Sequence, residues 1–160
     1  MTTQIWVHGL AHPAFRNGGW AYVVRTSSGL TGRAGGDRNT LAPRMALSGL
    51  LDAATSLPTI GAMTIVLTDP GLTRLAHERH ELADRGWTTQ EGEPVPDRDF
   101  WIALAAKIGL TQVSFELARL APNTPMGFVA AWAEFAADKA KASGAFISSL
   151  PKPNLAKFPG

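Results

Sequence analysis

The run Ala62-Met63-Thr64-Ile65-Val66-Leu67-Thr68 limits what this chain can fold into more than any other stretch. It is almost continuously apolar, as a strand buried on both faces must be, and it stops at Asp69-Pro70-Gly71. A strand of that kind belongs to a sheet with layers packed against both sides, so the segments around it must supply helices as well as further strands.

They do. Alternation in IWVHGLA and WAYVVRT predicts strands over 4–10 and 20–27, and LTGRAGG, 30–36, returns as a third across Ser27-Ser28-Gly29. Pro43 suits the first turn of a helix, and Met45, Leu47, Leu50, Leu51, Ala54 and Leu57 keep helical spacing up to Pro58, which predicts a helix over 43–57. A second helix is expected over about 70–84. The stretch GWTTQEGEPVPDRD reads as an ordered loop, FWIALAAKI as a short helix and TQVSFEL as a fifth strand. Phe128, Ala131, Trp132, Phe135 and Ala136 mark one face of a final helix over about 125–142. This order of elements implies an α/β fold built on a mixed sheet.

A chain of 160 residues suits one domain, assigned to 1–143, with a Pro- and Lys-bearing tail over 144–160. Phe146, Ile147, Leu150, Leu155 and Phe158 favour docking of that tail, on its own body or on a partner, over a mobile end. With no cysteine, disulfides and thiolate metal sites are excluded, and neither a leader-like start nor a long apolar run is present. The expectation is a cytoplasmic protein with no membrane partner. Charge is unevenly spread. Residues 1–50 carry five arginines against Asp37, residues 69–99 carry eight acids against four arginines, and four lysines follow Asp138 with no acid.

Several strings then stand out together: Gly18-Gly19 before Trp20, Arg44-Met45-Ala46-Leu47 opening a helix, Thr68-Asp69 ending a strand, Arg85-Gly86-Trp87, Pro94-Val95 and Asp99-Phe100-Trp101. In this order and at these spacings the chain resembles type 1 ribonuclease H from Ile5 to about Ala142. The resemblance implies a ribonuclease H-like fold, a five-stranded mixed sheet flanked by helices. It also implies cleavage of the RNA strand of an RNA/DNA hybrid by two magnesium ions held on four carboxylates. Such ions, roughly 4 Å apart, repel strongly and need several anionic oxygen ligands.

At the four positions to which the resemblance assigns carboxylates stand His8, Ala46, Asp69 and Ala133. Only Asp69 is an acid, and the segment Arg119 to Thr124 has no histidine to match the family's loop histidine. His8 suits magnesium poorly and reads instead as a hydrogen-bonded histidine of the strand. Glu134 is rotated about 100° from the Ala133 position. Asp69, before Pro70, suits a helix cap. From these positions the expectation is a protein that is not an enzyme, with no catalytic residue, bound metal or cofactor. It would act as an accessory or scaffold module that binds a protein or nucleoprotein partner. The alternative is a non-catalytic nucleic-acid-binding protein that uses Arg16, Arg38, Arg44, Lys139, Lys141, Lys152 and Lys157, and a further reading is a divergent metal-dependent ribonuclease. The acidic segment 69–99 lies where the family grips DNA and should repel a phosphate backbone. Trp87 and Trp101 are expected in the core rather than as base-stacking platforms.

Overall fold

The computed structural model describes residues 2–57, 61–108 and 112–160. Its meander consists of β1 (Thr3–His12), β2 (Asn17–Thr26) and β3 (Gly29–Asp37), followed by α1 (Ala42–Ser56) and β4 (Met63–Leu67). Then come α2 (Pro70–His77), α3 (Arg79–Asp84), α4 (Arg98–Ile108), β5 (Val113–Leu117), α5 (Pro125–Ser143), β6 (Phe146–Ser149) and α6 (Lys152–Leu155). The expected ends at Pro58 and Thr111 fall outside the described residues.

One sheet in the order β5-β4-β1-β2-β3-β6 holds all six strands. β1, β2 and β3 pair antiparallel, whereas β4 runs parallel to both β1 and β5. The mixed α/β sheet flanked by helices is therefore as expected. It gains a sixth strand, because Phe146–Ser149 pairs antiparallel with β3. The alternating side chains of the strands divide the core in two. Ile5, Val7, Trp20, Tyr22 and Val24 pack against the α1 and α4 side with Leu47, Leu50, Trp101 and Leu104. Trp6, Ala21 and Val23 pack on the opposite side with Val129, Ala133 and Ala136 of α5. Residues of the tail join this second cluster. Leu150, Leu155 and Phe158 are buried there, and Phe158 meets the Trp6 ring edge-on at 5.1 Å.

Two local departures have physical causes. The expected single helix over 70–84 breaks at Glu78, whose ψ of 7° is not helical. There the Arg79 guanidinium donates to the carbonyls of Ala76 and Val113, tying the break to β5. The loop after α3 is ordered by a turn of sheet-like pairing, with Val95 N–H donating to the Trp87 carbonyl at 3.0 Å. Trp87 and Trp101 stack at 5.5 Å inside the core, 5% and 1% exposed. They are core residues, as expected.

Glycine sets how closely α5 approaches the sheet. A Cβ on Gly19 would come within 2.2 Å of the Ala133 carbonyl oxygen and 2.4 Å of the Ala137 nitrogen, so only glycine lets helix and strand meet there. Beside it, buried Asn17 donates its side-chain N–H to the Ala137 carbonyl at 2.7 Å. Together these contacts clamp the β1–β2 turn onto the middle of α5.

Candidate functional site

His8, Ala46, Asp69 and Ala133 do not form a ligand set: Ala46 and Ala133 are buried in different core clusters, on opposite sides of the sheet. The His8 Nδ1 atom is 2.6 Å from the Thr68 hydroxyl, and burial pushes the imidazole below its ordinary value of 6.5. Gly9, the next residue, faces the α1 side of the sheet, where a Cβ would strike the Ala46 backbone at 2.1 Å. Ala46 is thus backed directly against β1, and its side chain is buried in the first core cluster. Ala133 is wholly buried in the second cluster, its carbonyl seated on Gly19. Asp69 caps α2, with Oδ1 accepting from Gly71 N at 2.8 Å and Leu72 N at 3.1 Å. These positions therefore offer a hydroxyl-bonded imidazole, two buried methyl groups and a single carboxylate already engaged by two amides. A pair of magnesium ions does not fit them.

Asp69 opens onto a groove of about 720 Å³ between α2, α3 and the loop after α3. Its wall carries Glu78, Glu81, Glu91 and Asp97 as well as Arg74 and Arg85. Arg44 stands near this side and is occupied. It pairs with Asp97 at 3.0 Å and Asp99 at 3.2 Å and lies over the Phe100 ring at 4.1 Å. Its hydrogen bonds hold the exposed Asp99 carboxyl below the usual carboxylate range.

Four other cations gather past the C-terminal end of β1. The turn after β1 is closed by Arg16 N–H donating to the His12 carbonyl at 2.7 Å, and Thr40 N–H donates to the Arg16 carbonyl at 3.0 Å. Lys141 of α5 lies 3.6 Å over the Phe15 ring of that turn, and Lys139 lies 4.5 Å over Phe146. Arg38 donates to the carbonyls of Ala140, Lys141 and Ala142 and so closes the C-terminal end of α5. Lys152 and Lys157 sit apart from this group, on and just after α6.

Sequence reasoning missed a third arrangement. His12, the last residue of β1, comes against Glu134 and Asp138 of α5, with Nε2 at 2.9 Å from Glu134 Oε1 and 3.8 Å from Asp138 Oδ1. The available signal was a pair of acids four residues apart on one helix face. Nothing local connects that pair to a histidine more than a hundred residues earlier.

Comparison with solved structures places this architecture among ribonuclease H folds. The chain superposes with a TM-score of 0.70 on LC9-RNase H1, a type 1 ribonuclease H with a type 2 active-site motif, at 15% identity over 99% of this chain and 85% of that one. The N-terminal ribonuclease H domain of a Mycobacterium tuberculosis protein gives 0.64 at 14% identity, over 89% of this chain and 97% of the other. These identities establish the fold alone. No family model matches the sequence. Curated relatives do: Ribonuclease H of Nitratidesulfovibrio vulgaris is 32% identical over 105 residues, 64% of this chain and 67% of the relative. Ribonuclease HI of Neisseria meningitidis serogroup B is 31% identical over 100 residues, 61% of this chain and 68% of the relative. The chain belongs to the ribonuclease H family.

Membership corrects one expectation. Three substitutions among four positions led to a protein that is not an enzyme, but the relatives at this identity are named as ribonucleases, which speaks for an enzyme. The physical weakness of the inference is plain in the fold. Residue types at four positions say nothing about groups that folding brings in from elsewhere, and His12, Glu134 and Asp138 are such groups.

Proposed function

We propose that this chain is a divergent ribonuclease that engages RNA/DNA hybrid, and that it takes hold of the hybrid at the β1–β2 turn and the C-terminal half of α5. The observation that carries this reading is the convergence of Arg16, Arg38, Lys139 and Lys141 at one end of the molecule, from three separate stretches of sequence. Clustered Lys and Arg are what a phosphate backbone requires, and they make binding fall steeply with salt. A structural neighbour, the foamy viral protease-reverse transcriptase, was solved in complex with RNA/DNA hybrid and aligns at a TM-score of 0.69 and 13% identity, over 86% of this chain and 20% of that one. That likeness supports the choice of ligand to test first.

The experiment titrates labelled hybrid, duplex DNA and single strands at several salt concentrations in the presence of chelator. Salt-dependent binding led by hybrid is expected, and a protein that binds none of them overturns the reading. The same hybrid is then incubated with Mg²⁺ and with Mn²⁺. Cleavage lost in Asp69→Asn locates the chemistry at the end of β4, and cleavage that survives that change locates it elsewhere.

The acidic groove beside Asp69 favours a second activity of the same chain, as an accessory surface for a cationic protein segment. Asp69, Glu78, Glu81, Glu91 and Asp97 outnumber Arg74 and Arg85 along its wall. A nucleic-acid backbone is repelled there, whereas Lys- or Arg-bearing peptide is attracted.

A further inference from the structure

We propose that His12, Glu134 and Asp138 form a binding site for one borderline divalent cation of the zinc class, with a coordination position left open toward the cleft beside Lys141. Among the described residues, this is the group in which three metal-ligating side chains each offer a donor atom within 4.8 Å of the others. A tetrahedral ion with bonds near 2.1 Å needs donors about 3.4 Å apart, and the two distances from His12 Nε2, 2.9 and 3.8 Å, bracket that value. The donor set is chemically selective. One imidazole with two carboxylates suits zinc-class ions, whereas magnesium prefers an all-oxygen octahedron and keeps its waters.

A second observation separates this cluster from an ordinary surface ion pair. The His12 Nε2 atom is closed off from solvent and has no hydrogen bond of acceptable direction, although Glu134 Oε1 is only 2.9 Å away. The carboxylate oxygen lies off the line along which the ring nitrogen would donate. A nitrogen close to two carboxylates yet bonded to neither is arranged for a group placed between them. The supporting frame is rigid. Asn17 pairs with His12 across the hairpin and donates to the Ala137 carbonyl, so the histidine is held against the turn of α5 that carries Glu134 and Asp138. These acids repel each other at a spacing of four residues, and a cation relieves that repulsion.

Beside the cluster lies a cleft of about 350 Å³ lined by Pro13, Phe15, Asn17 and Lys141. Three protein ligands leave a zinc-class ion one position for water or an anionic oxygen, and the Lys141 ammonium beside it favours an anion. The metal site stands independently of hybrid binding, which is measured in chelator.

The test strips the full chain with chelator and titrates Zn²⁺ by calorimetry and Co²⁺ by visible absorption, without nucleic acid. One equivalent is expected, with a raised melting temperature and a cobalt spectrum of four-coordinate form. Glu134→Gln and Asp138→Asn change exposed side chains nearly isosterically and should fold, and each should weaken Zn²⁺ at least tenfold, as should His12→Ala. His80→Ala, on α3, should leave the affinity unchanged. Failure of the wild type to take up either ion, or equal affinity in wild type and all three cluster variants, overturns the proposal.

Discussion

His8 and His12 lie four residues apart on β1 and meet opposite surroundings. His8 is half-buried, bonded to a neutral hydroxyl and pushed toward its neutral form. His12 ends the strand beside two carboxylates, near cations that the fold has gathered from distant stretches. The first region has been filled with core and the second with charge. One strand can carry both because the glycine-lined approach of α5 buries its middle and leaves its end at the protein surface. The lesson is that a site position in this fold is defined by what the neighbouring helix delivers there, as much as by the strand residue itself.

The strongest way to break the contrast is Ala133→Asp. A carboxylate forced into a wholly buried position, with no cation to meet it, should destabilise the protein by about 3–5 kcal/mol in urea unfolding. A loss under about 1 kcal/mol would mean that this region is open to water and the two halves of β1 are not so different. At the charged end, Lys139→Ala with Lys141→Ala should weaken hybrid binding about tenfold near 0.1 M salt and flatten its salt dependence. An unchanged salt slope would remove that end from the binding surface.

Asp69→Ala should cost about 1 kcal/mol through loss of the α2 cap, and Asp69→Asn much less, because asparagine also caps. Equal losses in both would show that the carboxylate's charge matters beyond the cap. The smallest effect expected is one of pH. Because burial lowers the His8 value in the folded protein, the unfolded chain takes up its proton first as pH falls through the ordinary value of 6.5. Stability should therefore be full above that value and decline below it. His8→Gln, compared with wild type by thermal melting between pH 8 and 5, should flatten the decline; an identical pH profile would show that burial does not hold His8 below its ordinary value.

Much of the scaffold was legible because its signals are local. Pro43 with the spacing from Met45 to Leu57 marks α1, the apolar run before Asp69 marks β4, and alternation marks the meander. The features that escaped depend on distant partners. Glu78 interrupts a helix-forming stretch through bonds that reach β5. Phe146–Ser149 is too short to register as a strand until β3 is there to pair with it. The substituted carboxylate positions could be placed by matching strings of residues, but whether each was open or sealed is a property of packing. The His12 cluster escaped for the same reason, since its histidine and its acids carry no mutual signal along the chain.

The pairing of β6 with β3 has a consequence for how copies of this protein behave toward one another. β3 runs Gly29 to Asp37 with Gly32, Gly35 and Gly36 along it, a long and nearly side-chain-poor row of backbone donors and acceptors that would otherwise end the sheet as a template for a neighbour's strand. β6 turns that row inward and becomes the outermost strand in its place. The new margin is only four residues long and stops at Pro151, which has no amide hydrogen to offer. The segment thus does for the sheet what a bulge or a charged border does in other proteins: it makes the margin a poor place for another chain to begin.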